Sequence, residues 1–99
     1  MAETRLPPLV EPKPAPAAIR VRVLFFASLA DLMGERQRDL ALPRNATLAD
    51  TVGCLARDVP ELAARAPHVS FARNEEFVPV DTRLADGDEL ALIPPVSGG

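Results

Sequence analysis

The residues with the clearest chemical potential close the chain, in the run Pro94-Pro95-Val96-Ser97-Gly98-Gly99. Two prolines stop a strand ladder and keep the exit extended, because they lack a backbone N–H and have a fixed φ. Two glycines carry no Cβ, so they can pass through a channel in which any side chain would clash. The α-carboxylate of Gly99 is ionised at neutral pH. Such a carboxylate can attack the α-phosphate of ATP, and the acyl-adenylate that forms accepts a nucleophile.

Three other groups could carry chemistry, and each has a plainer interpretation. Cys54 could be a nucleophilic or persulfide thiol, but it lies off the apolar stripe of its predicted helix, with no histidine nearby in sequence. His68 could act as a base, although a surface histidine at the start of a strand is favoured. Asp86, Asp88 and Glu89 could bind a hard cation, but they supply too few oxygen ligands, which favours a solvated turn. One cysteine and one histidine cannot build a zinc site, so no metal is expected.

The composition restricts the classes of partner. The 99 residues are enough for one domain, and their net charge of −3 has the wrong sign for a protein that binds phosphate backbones. The sequence has no tryptophan or tyrosine to stack on bases. No apolar run approaches the ~20 residues of a membrane span, and the first residues lack the apolar core of a secretory signal. We therefore expect a reduced, cytoplasmic protein that binds neither nucleic acid nor membranes.

The composition changes sharply near residue 18, where the folded domain that carries the tail is expected to begin. Residues 1–18 contain five of the eleven prolines, which predicts an extended, disordered arm or, as the alternative, a proline-rich docking motif. Residues 19–27 alternate in the way that is typical of a strand. The folded domain is therefore expected to span residues 19–93, and the flexible tail residues 94–99.

Turn and helix signals divide this domain into short elements. Thr47 and Asp50 form a capping-box variant before an amphipathic helix, whose apolar stripe consists of Leu48, Val52, Leu55 and Val59. Four or five strands with one main helix predict an α+β fold, and their order suits a ubiquitin-like β-grasp with a mixed sheet. The other predicted elements are a helical turn capped by Ser28 and stopped by Gly34, a strand over 35–42, and strands over 68–73, 77–80 and 89–93. Pro60 either ends the main helix or starts a second short helix through Ala66.

Two segments of the chain resemble a known family. VRVLFFASLADLMG at residues 21–34, LADGDELALIPPVSGG at residues 84–99 and the spacing between them are similar to the small, sulfur-carrying subunits of molybdopterin synthase, the MoaD/ThiS-like family. That family is related to the thiamine sulfur carrier and, more distantly, to ubiquitin. The resemblance covers residues 19–99, and its most specific part is the ending PPVSGG after an acidic-Gly-acidic turn.

The resemblance implies a role for the tail. In the family, an activating enzyme adenylates the terminal glycine, which then becomes a thiocarboxylate. By this resemblance Gly99 carries the sulfur and Gly98 is its steric companion, and the tail delivers two sulfurs in turn to cyclic pyranopterin monophosphate. The catalytic residues belong to the large subunit, so this chain would be the non-catalytic, sulfur-donating subunit of a transferase. The tail residues implied to contact that partner are Pro94, Pro95, Val96 and Ser97.

The expected partners follow from the same resemblance. They are the large synthase subunit, in a heterotetramer, an adenylyltransferase that resembles the ubiquitin-activating enzymes, and a sulfur donor such as a cysteine desulfurase or a rhodanese. No permanently bound cofactor is expected, since the activating enzyme is the one that uses ATP.

A partner surface is also predicted on the sheet. Phe26 and Ile93 lie opposite the expected core face of their strands, and Phe77 opens a nearby strand in the family fold. Apolar side chains on a sheet face with no helix over them indicate a binding patch. The alternative is that these three residues complete a second small core.

Three other functions stay open. A ubiquitin-like modifier would use Gly99 to form isopeptide bonds with lysines of target proteins. A carrier for thiamine or another pathway would share the chemistry and differ in the acceptor, although the Pro-Pro-Val-Ser ending favours molybdopterin. A binding module with an incidental Gly-Gly end would need neither activation nor sulfur.

Overall fold

A mixed sheet with one main helix forms the centre of the computed structural model, which describes residues 18–95. The elements in chain order are β1 (Ala18–Phe25), α1 (Ser28–Met33), β2 (Gln37–Pro43), α2 (Leu48–Asp58), α3 (Glu61–Arg65), a 3₁₀ turn (Ala66–His68), β3 (Ser70–Arg73), β4 (Glu76–Phe77) and β5 (Glu89–Ile93). The strand order is β2-β1-β5-β3-β4, in which β1 and β5 are parallel and the other neighbours antiparallel. The predicted α+β class is therefore confirmed. None of the helices in this part of the chain is long and apolar enough to cross a membrane.

The two faces of the sheet differ in what covers them. The apolar residues that alternate with the arginines of β1 are buried, and β5 adds two buried leucines to the same side. Helix α2 covers this face with Leu48, Thr51 and Leu55, all of which are fully buried. The buried strand residues are Ile19, Val21, Val23, Phe25, Leu90 and Leu92. On the other face, side chains from β1, β2 and β5 are exposed or half-buried.

Helix α2 begins at the predicted capping box. The Thr47 hydroxyl accepts a hydrogen bond from the Asp50 N–H at 3.2 Å, and an Asp50 carboxylate oxygen accepts one from the Thr47 N–H at 2.9 Å. The buried stripe is rotated from the predicted one, because Thr51 is fully buried whereas Val52 is only half-buried. Thr51 tolerates burial because its hydroxyl donates to the Thr47 carbonyl oxygen at 3.3 Å.

The connection from β1 to α1 differs from the prediction. Strand β1 begins at Ala18, a residue that the sequence pattern assigned to the arm; residues 1–17 lie outside the described part of the chain. Ala27 has a φ of 51° and precedes the helix, so Ser28 is the first residue of α1 and not its cap. Gly34 ends α1 in the left-handed region, as predicted, with a φ of 77°.

The strands of the second half are mostly shorter than predicted. Strand β3 begins at Ser70, because Pro67 and His68 belong to the 3₁₀ turn. Strand β4 has only two residues, Glu76 and Phe77, although the Val78 N–H after it still donates to the Phe71 carbonyl oxygen at 3.0 Å. Strand β2 also begins two residues later than predicted, whereas β5 has the predicted bounds, Glu89–Ile93.

A buried carboxylate fixes the start of β5. Asp88 is buried, and its two side-chain oxygens accept hydrogen bonds from the Asn74 amide at 3.0 Å and from the Ala85 N–H at 2.7 Å. The Asn74 side-chain oxygen accepts in turn from the Glu89 N–H at 2.9 Å. Asn74 lies in the tight turn between β3 and β4, so this network joins that turn to β5. The prediction of a solvated acidic turn was wrong for Asp88, because backbone and amide donors compensate its burial.

Replacing Asp88 by Asn tests this network. The amide has one acceptor oxygen instead of two, so one of the two donors would face an NH₂ group. We expect Asp88→Asn to lower the free energy of unfolding by about 1–3 kcal/mol in urea denaturation. The matched control is Asp81→Asn at an exposed position, which should change stability by less than about 0.5 kcal/mol. Equal effects of the two substitutions would contradict this account.

Candidate functional site

The tail leaves the sheet where its two central strands end together. Phe25 of β1 lies beside Leu92 of β5 in the parallel register, and the Phe26 N–H donates to the Leu92 carbonyl oxygen at 3.3 Å. Pro94 and Pro95 follow, and the absence of an N–H on either ring ends the ladder at this point. The root of the tail is therefore fixed next to the end of β1.

Four of the predicted tail residues lie beyond the described part of the chain. They are Val96, Ser97, Gly98 and Gly99. Their predicted roles stay predictions.

A small apolar hollow borders the tail root. Its volume is about 270 Å³, and Pro94 and Pro95 form one wall of it. The opposite wall brings together α1, α3 and the 3₁₀ turn, through residues that include Leu29, Arg65 and His68. Arg65 is held on this wall by an ion pair with Glu61 on the same helix, with 2.8 Å between Nη2 and Oε2. The sequence pattern placed His68 at the start of a strand and did not reveal its position near the tail; Pro67 was the only signal for the intervening turn.

The three residues predicted as a partner surface lie on the open face of the sheet. The register places Leu24, Ala91, Ala72 and Phe77 in one row across four strands, all on the side away from α2. Ile93 lies in the next row, opposite Ser70 of β3. By strand alternation, Phe26 continues β1 on the same side and belongs to this second row. We call Leu24, Phe26, Ala72, Phe77, Ala91 and Ile93 the apolar patch.

Exposure separates the three predicted residues of this patch from the core, whereas Ala72 within the patch is buried. The side chain of Phe77 is 74% exposed and that of Phe26 45%, whereas Ile93 is half-buried. Such exposure of two phenylalanines is costly in water unless another surface covers them. The patch also lies at the edge of the sheet from which the tail leaves, so a single partner could contact both.

The open face becomes charged towards its other end. Arg22 lies two residues before Leu24 in β1, between Asp39 of β2 and Glu89 of β5. The Arg22 Nε and an Asp39 carboxylate oxygen are 3.1 Å apart, and both side chains are more than half exposed. An exposed pair of this kind contributes little to stability. Its charges instead mark the limit of the apolar patch.

The remaining candidates from the sequence are Cys54 and Asp86. Cys54 is a free, partly buried thiol on α2. Asp86 accepts a hydrogen bond from the Arg20 N–H at 2.8 Å and thus holds the end of a turn against β1. Within residues 18–95, no three histidine, cysteine or acidic side chains are grouped closely enough to hold a metal ion.

The sequence can be placed among known proteins. It matches the model of the ThiS family over residues 23–99. It is 35% identical over 82 residues to the molybdopterin synthase sulfur carrier subunit of Mycobacterium tuberculosis. That alignment covers 82% of this chain and 99% of the relative. It is also 37% identical over 83 residues to small archaeal modifier protein 1 of Haloferax volcanii. That alignment covers 76% of this chain and 95% of the relative.

Solved structures share the fold. The crystal structure of the Haloferax volcanii modifier protein aligns with a TM-score of 0.73 at 34% identity, over 81% of this chain and 99% of that chain. A chain from the complex of subunits 1 and 2 of the molybdopterin-converting factor of Helicobacter pylori aligns with a TM-score of 0.56 at 26% identity, over 82% of this chain and 100% of that chain. These likenesses confirm the predicted ubiquitin-like β-grasp.

Stability measurements distinguish an exposed patch from a second core. Because the Phe77 side chain is mostly in solvent, Phe77→Ala should lower the free energy of unfolding by less than about 1 kcal/mol. Phe71→Ala, at a buried position of the same sheet, is the matched control and should cost about 3–5 kcal/mol. Chemical denaturation measures both. Similar losses for the two variants would favour the second core.

Proposed function

Because the chain belongs to the ThiS family, we propose that it is the sulfur carrier subunit of a molybdopterin synthase and bears its sulfur as a thiocarboxylate on Gly99. The similarity to the Mycobacterium tuberculosis sulfur carrier subunit supports this proposal, since it extends over nearly the whole relative. The observation that carries it is the position of the tail root. The hydrogen bonds between β1 and β5 end at Phe26 and Leu92, and the chain leaves the sheet there, beside an exposed apolar patch.

The tail chemistry has two stages: an activating enzyme adenylates Gly99, and a sulfur donor then supplies the sulfur. The Gly99 carboxylate attacks the α-phosphate of ATP, and pyrophosphate leaves. The terminal sulfur of a persulfide donor, such as a cysteine desulfurase or a rhodanese, then displaces AMP from the carbonyl carbon and forms an acyl disulfide. A second thiol cleaves the S–S bond of that acyl disulfide, which leaves a disulfide on the donor side and the thiocarboxylate on Gly99. The role of this chain is to make the tail accessible to its partners. Pro94 and Pro95 direct the tail away from the sheet, and Gly98 keeps the tail narrow. The sulfur is finally transferred to a pterin acceptor in the large subunit.

We propose that the large subunit covers the apolar patch and receives the tail. The Helicobacter pylori relative was solved as a complex of subunits 1 and 2, which supports a partner of this kind. Burial of Phe26 and Phe77 would supply the apolar centre of the interface, and Arg22 with its acidic neighbours would lie at its rim. The proposed assembly is a heterotetramer in the cytoplasm.

A ubiquitin-like modifier is the second candidate function. The 37% identity to small archaeal modifier protein 1 favours it, because the two chains align over most of their lengths. A modifier would transfer the activated Gly99 carbonyl to lysine amines of target proteins. Covalent conjugates of higher mass in cells that express the chain would distinguish this function from sulfur transfer.

Changes at the chain end test the carrier mechanism. Deletion of Gly99, or addition of one residue after it, should abolish adenylation and sulfur transfer, because both need the carboxylate at that position. Cys54→Ser is the matched control and should retain both activities. Intact-mass analysis after incubation with the activating enzyme, ATP and a sulfur donor should show a mass increase equal to sulfur minus oxygen, confined to the C-terminal peptide. Sulfur on Cys54, or activity without Gly99, would contradict the mechanism.

An affinity measurement tests the partner surface. Phe26→Ala should weaken binding to the large subunit by about 2 kcal/mol, since large aromatic side chains dominate such interfaces. Val80→Ala is the matched control, because Val80 is 44% exposed but borders α2 on the other side of the sheet. Isothermal titration calorimetry measures both. Unchanged affinity for Phe26→Ala would exclude this surface as the binding site.

A further inference from the structure

The turn between β1 and α1 contains an alanine in a backbone conformation that favours glycine. Ala27 has a φ of 51° and a ψ of −127°. The Leu29 N–H donates to the Phe26 carbonyl oxygen at 3.0 Å and closes the turn around Ala27. These features match the first central position of a type II′ turn, where glycine is usual because it has no Cβ. The methyl group of Ala27 therefore strains the backbone.

Hydrogen bonds on both sides of Ala27 impose this conformation. Before it, the Phe26 N–H donates to the Leu92 carbonyl oxygen at 3.3 Å and keeps the chain on the sheet. After it, the Ala27 carbonyl oxygen accepts from the Ala30 N–H at 3.0 Å, in the first turn of α1. The chain passes from the sheet into the helix at this residue, so the strain is concentrated at one exposed position.

Ala27 also lies between the two features that a partner contacts in the proposed complex. Phe26, which precedes it, belongs to the apolar patch, and both residues border a concavity of about 540 Å³. Ser28 and Leu29, which follow it, form part of the hollow beside the tail root. A surface that covers the patch and also reaches the tail root therefore crosses Ala27.

We propose that the methyl group of Ala27 is a contact point for the large subunit between the apolar patch and the tail, and that the chain retains this group at the expense of stability. The inference rests on the proposed function, because the large subunit is the partner in question. Glycine would relax the turn but would leave a gap under the partner. Strain that persists in a fold often serves a binding site, and relieving it there costs function.

Ala27→Gly should change stability and affinity in opposite directions. The midpoint of thermal unfolding of the full chain should rise by about 4 °C or more, because the strain is relieved. Isothermal titration calorimetry should show about fourfold weaker binding to the large subunit, which is the effect of one buried methyl group. Asn45→Gly is the matched control. Asn45 also has a positive φ, 71°, but it lies near Pro43, which pairs with Ala18 at the other end of β1, so affinity should not change.

D-Alanine at position 27 separates the methyl contact from chain flexibility. A D-residue favours a positive φ, so the turn is relaxed and stays rigid, whereas the methyl group points in a different direction. Native chemical ligation between Gly53 and Cys54 joins a synthetic segment 1–53 to an expressed segment 54–99 and leaves the rest of the sequence unchanged. This variant should unfold at a temperature at least as high as that of Ala27→Gly. It should bind the large subunit about fourfold more weakly than the wild-type chain, or more weakly still.

The outcomes distinguish this inference from the proposed function. A midpoint that does not rise in Ala27→Gly would contradict the strain, and unchanged or tighter binding would contradict the contact. Wild-type affinity of the D-alanine variant would also overturn the inference, because the flexibility of glycine would then explain the loss. If the large subunit binds the wild-type chain and is insensitive to residue 27, the inference fails and the proposed function stands. If it does not bind the wild-type chain, the proposed function fails and the inference fails with it.

Discussion

Four residues of β1 lie beside four residues of β5 in parallel register, from Arg22 and Glu89 to Phe25 and Leu92. Parallel neighbours run in the same direction, so the carboxyl ends of both strands reach the same edge of the sheet. The chain after β5 therefore leaves beside the residue that follows β1. With an antiparallel pair the tail would leave at the charged end of the open face, far from Phe26. The position of the tail next to the apolar patch thus depends on this one pairing.

The same pairing determines which side chains of β1 and β5 face the core and which face the open side of the sheet. Alternation along β1 and β5 sends one set to α2, where burial stabilises the fold, and the other set to the open face. Asp88 and Asn74 preserve this division, because they fix the first residue of β5 through bonds to the turn between β3 and β4. A shift of β5 by one residue would exchange its two faces and place leucines on the surface.

The sequence predicted those elements whose local signals agree with their tertiary surroundings. The bounds of β5 and the capping box at Thr47 follow from short-range patterns, and the fold class followed from the order of the elements. The family was indicated by the resemblance of residues 21–34 and 84–99. Other features depend on distant contacts. The burial of Asp88 requires a partner amide fourteen residues away, and the φ of Ala27 has no signature in its residue type. Pro67 was visible in the sequence, but the 3₁₀ turn that delays the start of β3 was not predicted from it. The shared face of Phe26, Phe77 and Ile93 was predicted, whereas the position of His68 near the tail was not.

The parallel central pair also determines how the domain responds to mechanical load. Residue 18 begins β1 at one edge of the sheet, and residue 93 ends β5 at the opposite edge. A force applied through the two chain ends pulls these neighbouring strands past each other, so it acts along them and loads their hydrogen bonds together. An antiparallel hairpin pulled from its two ends would instead open one bond at a time. A partner that binds the tail in a channel would therefore pull on β5. The hydrogen bonds between β5 and β1 resist this force together, so the domain can stay folded while the tail enters the channel.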